Sequence, residues 1–287
     1  MHVPVMLGEC LEYLAIRPDS VILDATAGLG GHSGAIAARL ATGFVISNDR
    51  DAESIELARQ NTAEQADRIR FHHGRFSELP KALAANGVEK VDGLLADLGV
   101  SRYQLTTPER GFSLMADGPL DMRQDRSEQR TADEIVNFAG EKELADLIFQ
   151  LGEERRSRRI SRAIVRARPI HSTQRLSRVI EEAVPRTNKI HPATQTFQAL
   201  RMAVNREQEE LDALLRVAPE LVKSGGRIVV LTFMSLEDRK VKQCFQALAR
   251  AGRAQILTKH VVRPSSEEIY NNPPSRSAKL RALEMKS

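Results

Sequence analysis

Between Val21 and Asp97 the chain repeats one short pattern, and that repetition limits the folds open to it more than any other feature. Short apolar runs stand at Val21-Ile22-Leu23-Asp24-Ala25-Thr26, Phe44-Val45-Ile46-Ser47-Asn48-Asp49, Arg70-Phe71-His72-His73 and Val91-Asp92-Gly93-Leu94-Leu95-Ala96-Asp97. Between them lie stretches of helical spacing: residues 33–40, residues 52–66 with Ile55, Leu57 and Ala58, and residues 77–85. Strands alternating with helices at such short intervals are the signature of βαβ units around a parallel sheet.

The alternation stops near residue 100. Residues 101–130 are loop-like and charged, and residues 131–185 are helical, with room for three helices after a start at Thr131-Ala132-Asp133-Glu134. The first pattern then returns. Residues 207–222 are helical, Gly225-Gly226 leads into a fifth strand at Arg227–Phe233, and a helix over Leu236–Arg250 closes at Gly252. Ala254–Val262 and Ser277–Met285 alternate like strands across a Pro-rich loop too short for a crossover helix, which predicts an antiparallel pair. The expected architecture is α/β: a Rossmann-like, mostly parallel sheet with an antiparallel C-terminal strand pair, built from residues 1–105 and 205–287. An all-helical insertion, residues 106–204, interrupts it.

Composition narrows the class. Of 287 residues, 41% are hydrophobic and 28% charged, the balance of a globular chain. Aromatics make up 4% with no Trp, so the core must be aliphatic. Cys10 and Cys244 cannot form a disulfide framework, and the scattered His and Cys give no zinc-ligand spacing, so no metal is expected. The first residues lack a basic segment followed by a long apolar one, and the longest apolar stretch, Ile228–Met234, is too short to cross a bilayer. A cytoplasmic protein with no membrane contact is the expectation. The net charge of +4 permits a polyanionic partner without requiring one. The oligomeric state is left open, a homodimer included.

Gly28-Leu29-Gly30-Gly31 follows the first strand and precedes a helix, the arrangement of a ligand loop at the carboxyl edge of a sheet. Asp49, 21 positions after Gly28, ends the second strand, where an acid suits a ribose diol. A dinucleotide fingerprint would want Gly or Ala at position 33, where Ser33 stands, and would not favour Asp24. Asp24, Asp49 and Asp97 each close a strand on the ligand edge. Three acids around one cleft favour a cationic, ribose-bearing ligand such as S-adenosylmethionine (SAM) over a pyrophosphate. A nicotinamide oxidoreductase is the disfavoured rival.

Specific motifs then carry a resemblance that runs nearly end to end. They are His2-Val3-Pro4-Val5-Met6-Leu7-Gly8-Glu9, Asp24 to Ser33, Asp97-Leu98-Gly99-Val100-Ser101, Arg110-Gly111-Phe112-Ser113, Pro119-Leu120-Asp121-Met122-Arg123, Gly152-Glu153-Glu154-Arg155, His191-Pro192-Ala193-Thr194, Phe197 to Arg201 with Val204-Asn205, Ser235 to Arg239, and Ser275 to Arg281. In that order they resemble the bacterial 16S ribosomal RNA cytosine-N4 methyltransferase family, also called MraW. The resemblance implies SAM contacts from Gly30, Gly31, His32, Asp49, Phe76, Asp97 and Gln104, and 16S rRNA of the small ribosomal subunit as partner. The chain departs from the family pattern at Met234, where His is usual, at Arg102-Tyr103, where Ser-Pro is usual, and at Leu114-Met115 in place of Phe-Arg. These departures keep open a related methyltransferase with another substrate, or a non-catalytic RNA-binding or assembly protein.

Methyl transfer to an exocyclic amine needs oxygen acceptors that hold the amine hydrogens and fix the line of attack. Those acceptors are expected in the loop after the fourth strand: Asp97 first, then Ser101, with Asp121 reaching in from the insertion. Residues 155–168 hold seven arginines, of which Arg155, Arg158, Arg159, Arg162 and Arg166 fall on one helical face opposite Ile160, Ala163, Ile164 and Ala167. That face is expected to track RNA phosphates. Arg110, Arg123, Arg276, Lys279 and Arg281 offer further basic sites.

Overall fold

A computed structural model describes residues 4–184 and 191–287. His2 and Val3 of the opening motif, and residue 185 where the helical run was expected to end, lie outside the described residues. The chain separates into two compact units: the segment up to Gly99 together with Gln208–Ser287, and Val100–Glu207.

In the first unit α1 (Leu7–Leu14) precedes β1 (Val21–Asp24), α2 (Gly31–Ala37), β2 (Phe44–Asp49), α3 (Ala52–Asn61), β3 (Ile69–His73), α4 (Leu79–Ala85) and β4 (Val91–Asp97). The second unit holds α5 (Arg102–Thr106), α6 (Ala132–Phe138), α7 (Glu141–Gly152), α8 (Ser157–Ala167), α9 (Thr173–Ala183) and α10 (Thr194–Val204). The first unit then resumes with α11 (Glu207–Leu221), β5 (Val222–Thr232), α12 (Ser235–Arg250), β6 (Ala254–Ile256), α13 (Ser266–Asn271) and β7 (Lys279–Met285).

The sheet order is β3-β2-β1-β4-β5-β7-β6. The first five strands in that order run parallel. β7 is antiparallel to both β5 and β6 and lies between them. The expected antiparallel pair is therefore present, but β6 stops at Ile256 and a short helix, α13, fills part of the connection read as a loop. Ser265 starts that helix by accepting a hydrogen bond from the Glu268 amide at 3.0 Å.

Side chains alternate across the sheet with period two. Leu23, Leu94, Ala96, Ile228 and Val230 face one core with Leu79 and Leu83 of α4, Leu211 and Leu214 of α11, and Val241, Phe245 and Leu248 of α12. Ile22, Val45, Leu95, Val229 and Leu231 face the other core with Cys10, Leu11 and Leu14 of α1 and Ile36 of α2. With both faces covered, the strands read as unbroken apolar runs, which is why they were visible in the sequence.

The second unit packs its own core from Leu144 and Ile148 of α7, Ile160 and Ile164 of α8, Leu176 and Ile180 of α9, and Phe197 and Leu200 of α10. Residues 131–183 form four helices rather than three. Ala139 is extended and Gly140 caps α7, splitting what reads as one periodic run. Helix α10 lies where the sequence reading assigned no element. Among the described residues no helix is long and apolar enough to cross a membrane.

Candidate functional site

Parallel strands deliver their last residues to a common edge. Asp24 pairs in register with Ser47 and Leu95, so Asp49 and Asp97 each project two residues further along that edge. Beyond the strands the ladder continues into the loop: the Ala25 amide donates to Leu95 O at 2.8 Å and the Ala27 amide to Asn48 O at 2.8 Å. Gly28 (φ +51°) and Gly30 (φ +85°) then adopt the left-handed conformation that glycine accepts at no steric penalty.

The loop closes around its acids. Both oxygens of Asp49 accept backbone amides, from Gly28 at 2.7 Å and from Asp51 at 2.9 Å. Asp24 is fully buried and accepts from the Ser33 hydroxyl at 2.5 Å and from the Thr26 amide at 3.1 Å. Ser33 and Asp24, the two residues that argued against a dinucleotide fingerprint, thus form a single bonded pair inside the loop. Asp24 organises the loop from below, and does so without presenting a free carboxyl. Thr26, to which the sequence reading gave no role, accepts from the Asp97 amide at 2.7 Å and so ties the end of β4 to the loop.

Asp97 differs from the other two. Its Oδ1 is buried without a hydrogen-bond partner, and its Oδ2 stands 3.8 Å from Nδ1 of His32. Burial, with the Asp24 and Glu237 carboxylates adding to it, pushes its pKa up to about 8. Burial raises Asp24 to about 7 against the opposing bonds from Ser33 and Thr26. It raises Asp49 to about 6 against those from Asp51 and Gly28. Three carboxyls so placed gain most from a cationic ligand.

The N-terminal motif covers the loop. A Cβ at Gly31 would stand 2.5 Å from Cγ of Pro4, and His32 Nε2 lies 3.1 Å from the Val5 carbonyl. On the far side the Gly74 amide donates to Asp49 O at 2.9 Å, anchoring the turn that carries Phe76. Phe76 is half-buried and packs on the core of the sheet unit. Gly30, Gly31, His32, Asp49, Phe76 and Asp97 therefore share one unit and one sheet edge.

Ser101, Gln104 and Asp121 belong to the helical unit. Ser101 caps α5: its Oγ accepts from the Gln104 amide at 3.3 Å, and Gln104 Oε1 accepts from the Ser101 amide at 2.9 Å. Asp121 forms a two-pronged pair with Arg123, Nε to Oδ1 at 2.7 Å and Nη2 to Oδ2 at 2.9 Å. Burial works against its charge, but the Arg123 side chain and amide hold the carboxyl below its usual range.

The basic sites expected in the loops are largely engaged by the protein itself. Arg110 is 1% exposed and donates to the carbonyls of Arg123 at 2.9 Å and Gln124 at 3.0 Å. Arg281 is paired to Asp238 at 2.6 and 3.1 Å. Arg110, Arg123 and Arg281 are thus committed to protein partners, while Arg276 is exposed. Arg158, Arg159, Arg162 and Arg166 are exposed on α8, with Ile160 and Ile164 buried on the opposite face, whereas Arg155, expected on the same face, is exposed in the turn before the helix begins. Arg162 stands 3.5 Å from Glu141 of α7.

A left-handed glycine loop between β1 and α2, acids at the ends of β1, β2 and β4, and a seven-stranded sheet with an antiparallel β7 define a SAM-dependent methyltransferase. The MraW methylase family model matches residues 1–286. The ribosomal RNA small subunit methyltransferase H of Solibacter usitatus is 66% identical over 286 residues, covering 100% of both chains. That of Acidobacterium capsulatum is 48% identical over 295 residues, covering 99% of this chain and 98% of its own. Among solved structures, a Clostridium thermocellum protein described as an rRNA-methylase aligns with a TM-score of 0.51 at 12% identity, covering 99% and 100% of the two chains, a likeness of fold alone. The chain belongs to the MraW methylase family.

A first test concerns the loop. At Gly30 a Cβ would stand 2.8 Å from Cγ2 of Thr62 and 3.2 Å from Ala58 O, in a left-handed backbone. Gly30→Ala is expected to cost about 1–2 kcal/mol of stability and to weaken SAM binding by at least about tenfold. Titration calorimetry checks it, with Gly8→Ala, where no atom lies within 4 Å, as the unaffected control.

Proposed function

We propose that this protein methylates the exocyclic N4 amine of a cytidine in 16S rRNA of the small ribosomal subunit, with SAM as methyl donor. The observation that carries the reading is Asp97: a shielded carboxyl with one oxygen lacking any partner, at the end of β4 and tied to the glycine loop through Thr26. The ribosomal target is supported by relatives named for the small-subunit RNA, and by the exposed arginine face of α8. That face suits phosphate contacts whose affinity falls steeply with salt.

The residues present fit the cofactor. Gly30 supplies the left-handed turn and Gly31 opens α2 beside it, Asp49 would hold the ribose hydroxyls, Phe76 would offer a ring to the adenine, and Asp97 would face the cationic end. Gln104 and His32 complete the proposed set. When bound, SAM supplies a methyl already activated by the sulfonium. The protein's task is to orient a poor nucleophile, because the amine lone pair is delocalised into the cytosine ring. Asp97 accepts one amine hydrogen and turns the lone pair toward the line of attack. Ser101 and Asp121, the latter held ionised by Arg123, are the proposed further acceptors. The base must leave its stack to reach them. The cytoplasm is the proposed location, as ribosomal RNA lies there.

Incubation with labelled SAM and unmodified small subunits, followed by nucleoside analysis, is expected to yield N4-methylcytidine. SAM binding without that product would overturn the substrate, and absence of SAM binding would overturn the whole reading.

A further inference from the structure

His32 is buried, yet both ring nitrogens have defined neighbours. Nε2 lies 3.1 Å from the Val5 carbonyl. A carbonyl oxygen only accepts, so Nε2 carries the hydrogen, and in the neutral ring Nδ1 keeps its lone pair. That lone pair faces Oδ2 of Asp97 at 3.8 Å. The backbone of His32 opens α2 beside the glycine loop, but its ring is directed at the carboxyl, which is a separate task from holding cofactor.

The titratable groups around Asp97 are His32 from α2, Asp24 from β1, Glu237 from α12 and the Cys10 thiol from α1. Asp24 already accepts from Ser33 and Thr26, and Glu237 from the Phe233 and Met234 amides at 3.1 Å each. Cys10 is buried, and burial raises its pKa well above the usual thiol value. Of these four, only His32 can take up a proton and become cationic.

The amine that attacks begins with two hydrogens and must lose one. Resting on the cytosine-N4 reading, we propose that His32 is a positioning residue that acts through Asp97, receiving at Nδ1 the proton that the carboxylate takes from the amine. The N4 lone pair forms the bond to the methyl carbon, and the sulfur–carbon bond breaks with its electron pair left on sulfur. The N4–H bond then breaks with its pair left on nitrogen, and the proton passes to Asp97 and on to Nδ1. The resulting imidazolium keeps its Nε2–H on Val5 and resets Asp97 as a carboxylate. Rotation of the carboxyl closes the 3.8 Å gap, and Oδ1, bonded to nothing, does not oppose it.

Two variants of the full chain separate this role from that of a strut. His32→Gln keeps a polar group at the Nε2 position, and His32→Asn keeps one at Nδ1; neither takes up a proton at neutral pH. Both are expected to lower single-turnover methylation of unmodified small subunits at saturating SAM by about 10²-fold, well beyond any loss of SAM affinity read by calorimetry. Their rates are also expected to climb with pH where the wild-type rate is flat, as hydroxide replaces the imidazole. Wild-type product with either variant retaining full rate and the wild-type pH profile, or losing rate only in proportion to SAM affinity, would overturn this inference alone. Absence of N4-methylcytidine from the wild-type protein would overturn the cytosine-N4 reading, and this inference with it.

Discussion

Asp97→Ala is expected to slow methyl transfer by about 10³-fold, measured as single-turnover incorporation of labelled methyl into unmodified small subunits. Alanine removes the acceptor that orients the amine and the first stop for its proton. Asp97→Asn keeps the shape and an acceptor oxygen but not the charge, and should recover only a small part of the rate. Turnover near the wild-type level in the Asn variant would mean that Asp97 serves only to accept a hydrogen bond.

The same substitution should stabilise the free protein. In the unfolded chain Asp97 titrates near the ordinary Asp value of about 3.9, whereas in the folded chain burial lifts it to about 8. Between those values the native state binds more protons than the unfolded state, so stability falls as pH rises through the window. Asp24 and Asp49, lifted to about 7 and about 6, push the same way over narrower ranges. Asp97→Asn should therefore raise the melting temperature of the free protein by at least about 2 °C at pH 8 and very little at pH 4. A gain of equal size at both pH values would show that the carboxyl is not held protonated by its surroundings. Stability given up at a functional carboxyl is the usual trade in an active site.

The second large effect concerns Arg110→Ala, which should destabilise the helical unit by about 3 kcal/mol, read as an earlier loss of helical circular dichroism in denaturant. The side chain is fully buried, and its guanidinium satisfies the Arg123 and Gln124 carbonyls. Truncation takes a charged donor away from both carbonyls and opens a cavity beside Phe112 and Tyr103, whose rings stand 5.9 and 6.0 Å from the guanidinium carbon. Asn205 holds the same loop from the other side, accepting from the Gln124 amide and donating to Met122 O, each at 2.7 Å. Arg110→Lys reaches one carbonyl at best and should lose roughly half as much. Were Arg110 an RNA contact instead, the Ala variant would keep its stability and lose RNA affinity.

Arg110 and Arg123 illustrate what was hard to see in the sequence. Their motifs look like basic loops awaiting a polyanion, yet they clamp a long loop onto itself. An arginine's role depends on which carboxylate or carbonyl the fold brings near, and Asp238 reaches Arg281 across 43 positions. The exposed face of α8 was legible for the opposite reason. Helical periodicity is local, so alternating arginine and isoleucine already sort into two sides before any tertiary contact forms.

The strands were legible because a sheet covered on both faces demands apolar side chains in both directions, and the loop because a left-handed turn beside a helix start admits little besides glycine. The site's acids were legible as strand ends, since parallel strands bring their last residues to one edge whatever the loops do. Their division of labour was not. Asp24 is engaged by Ser33 and Asp49 by two amides, whereas Asp97 keeps one oxygen without a hydrogen-bond partner and turns the other toward a histidine. By itself, then, the sequence determined where the strands, the glycine loop and the arginine face lie, because each depends on neighbours within a few residues. Only the tertiary structure decided which charges are spent on the protein and which remain for chemistry, because hydrogen-bond and ion-pair partners are set by proximity in space, and proximity in space is decided by packing.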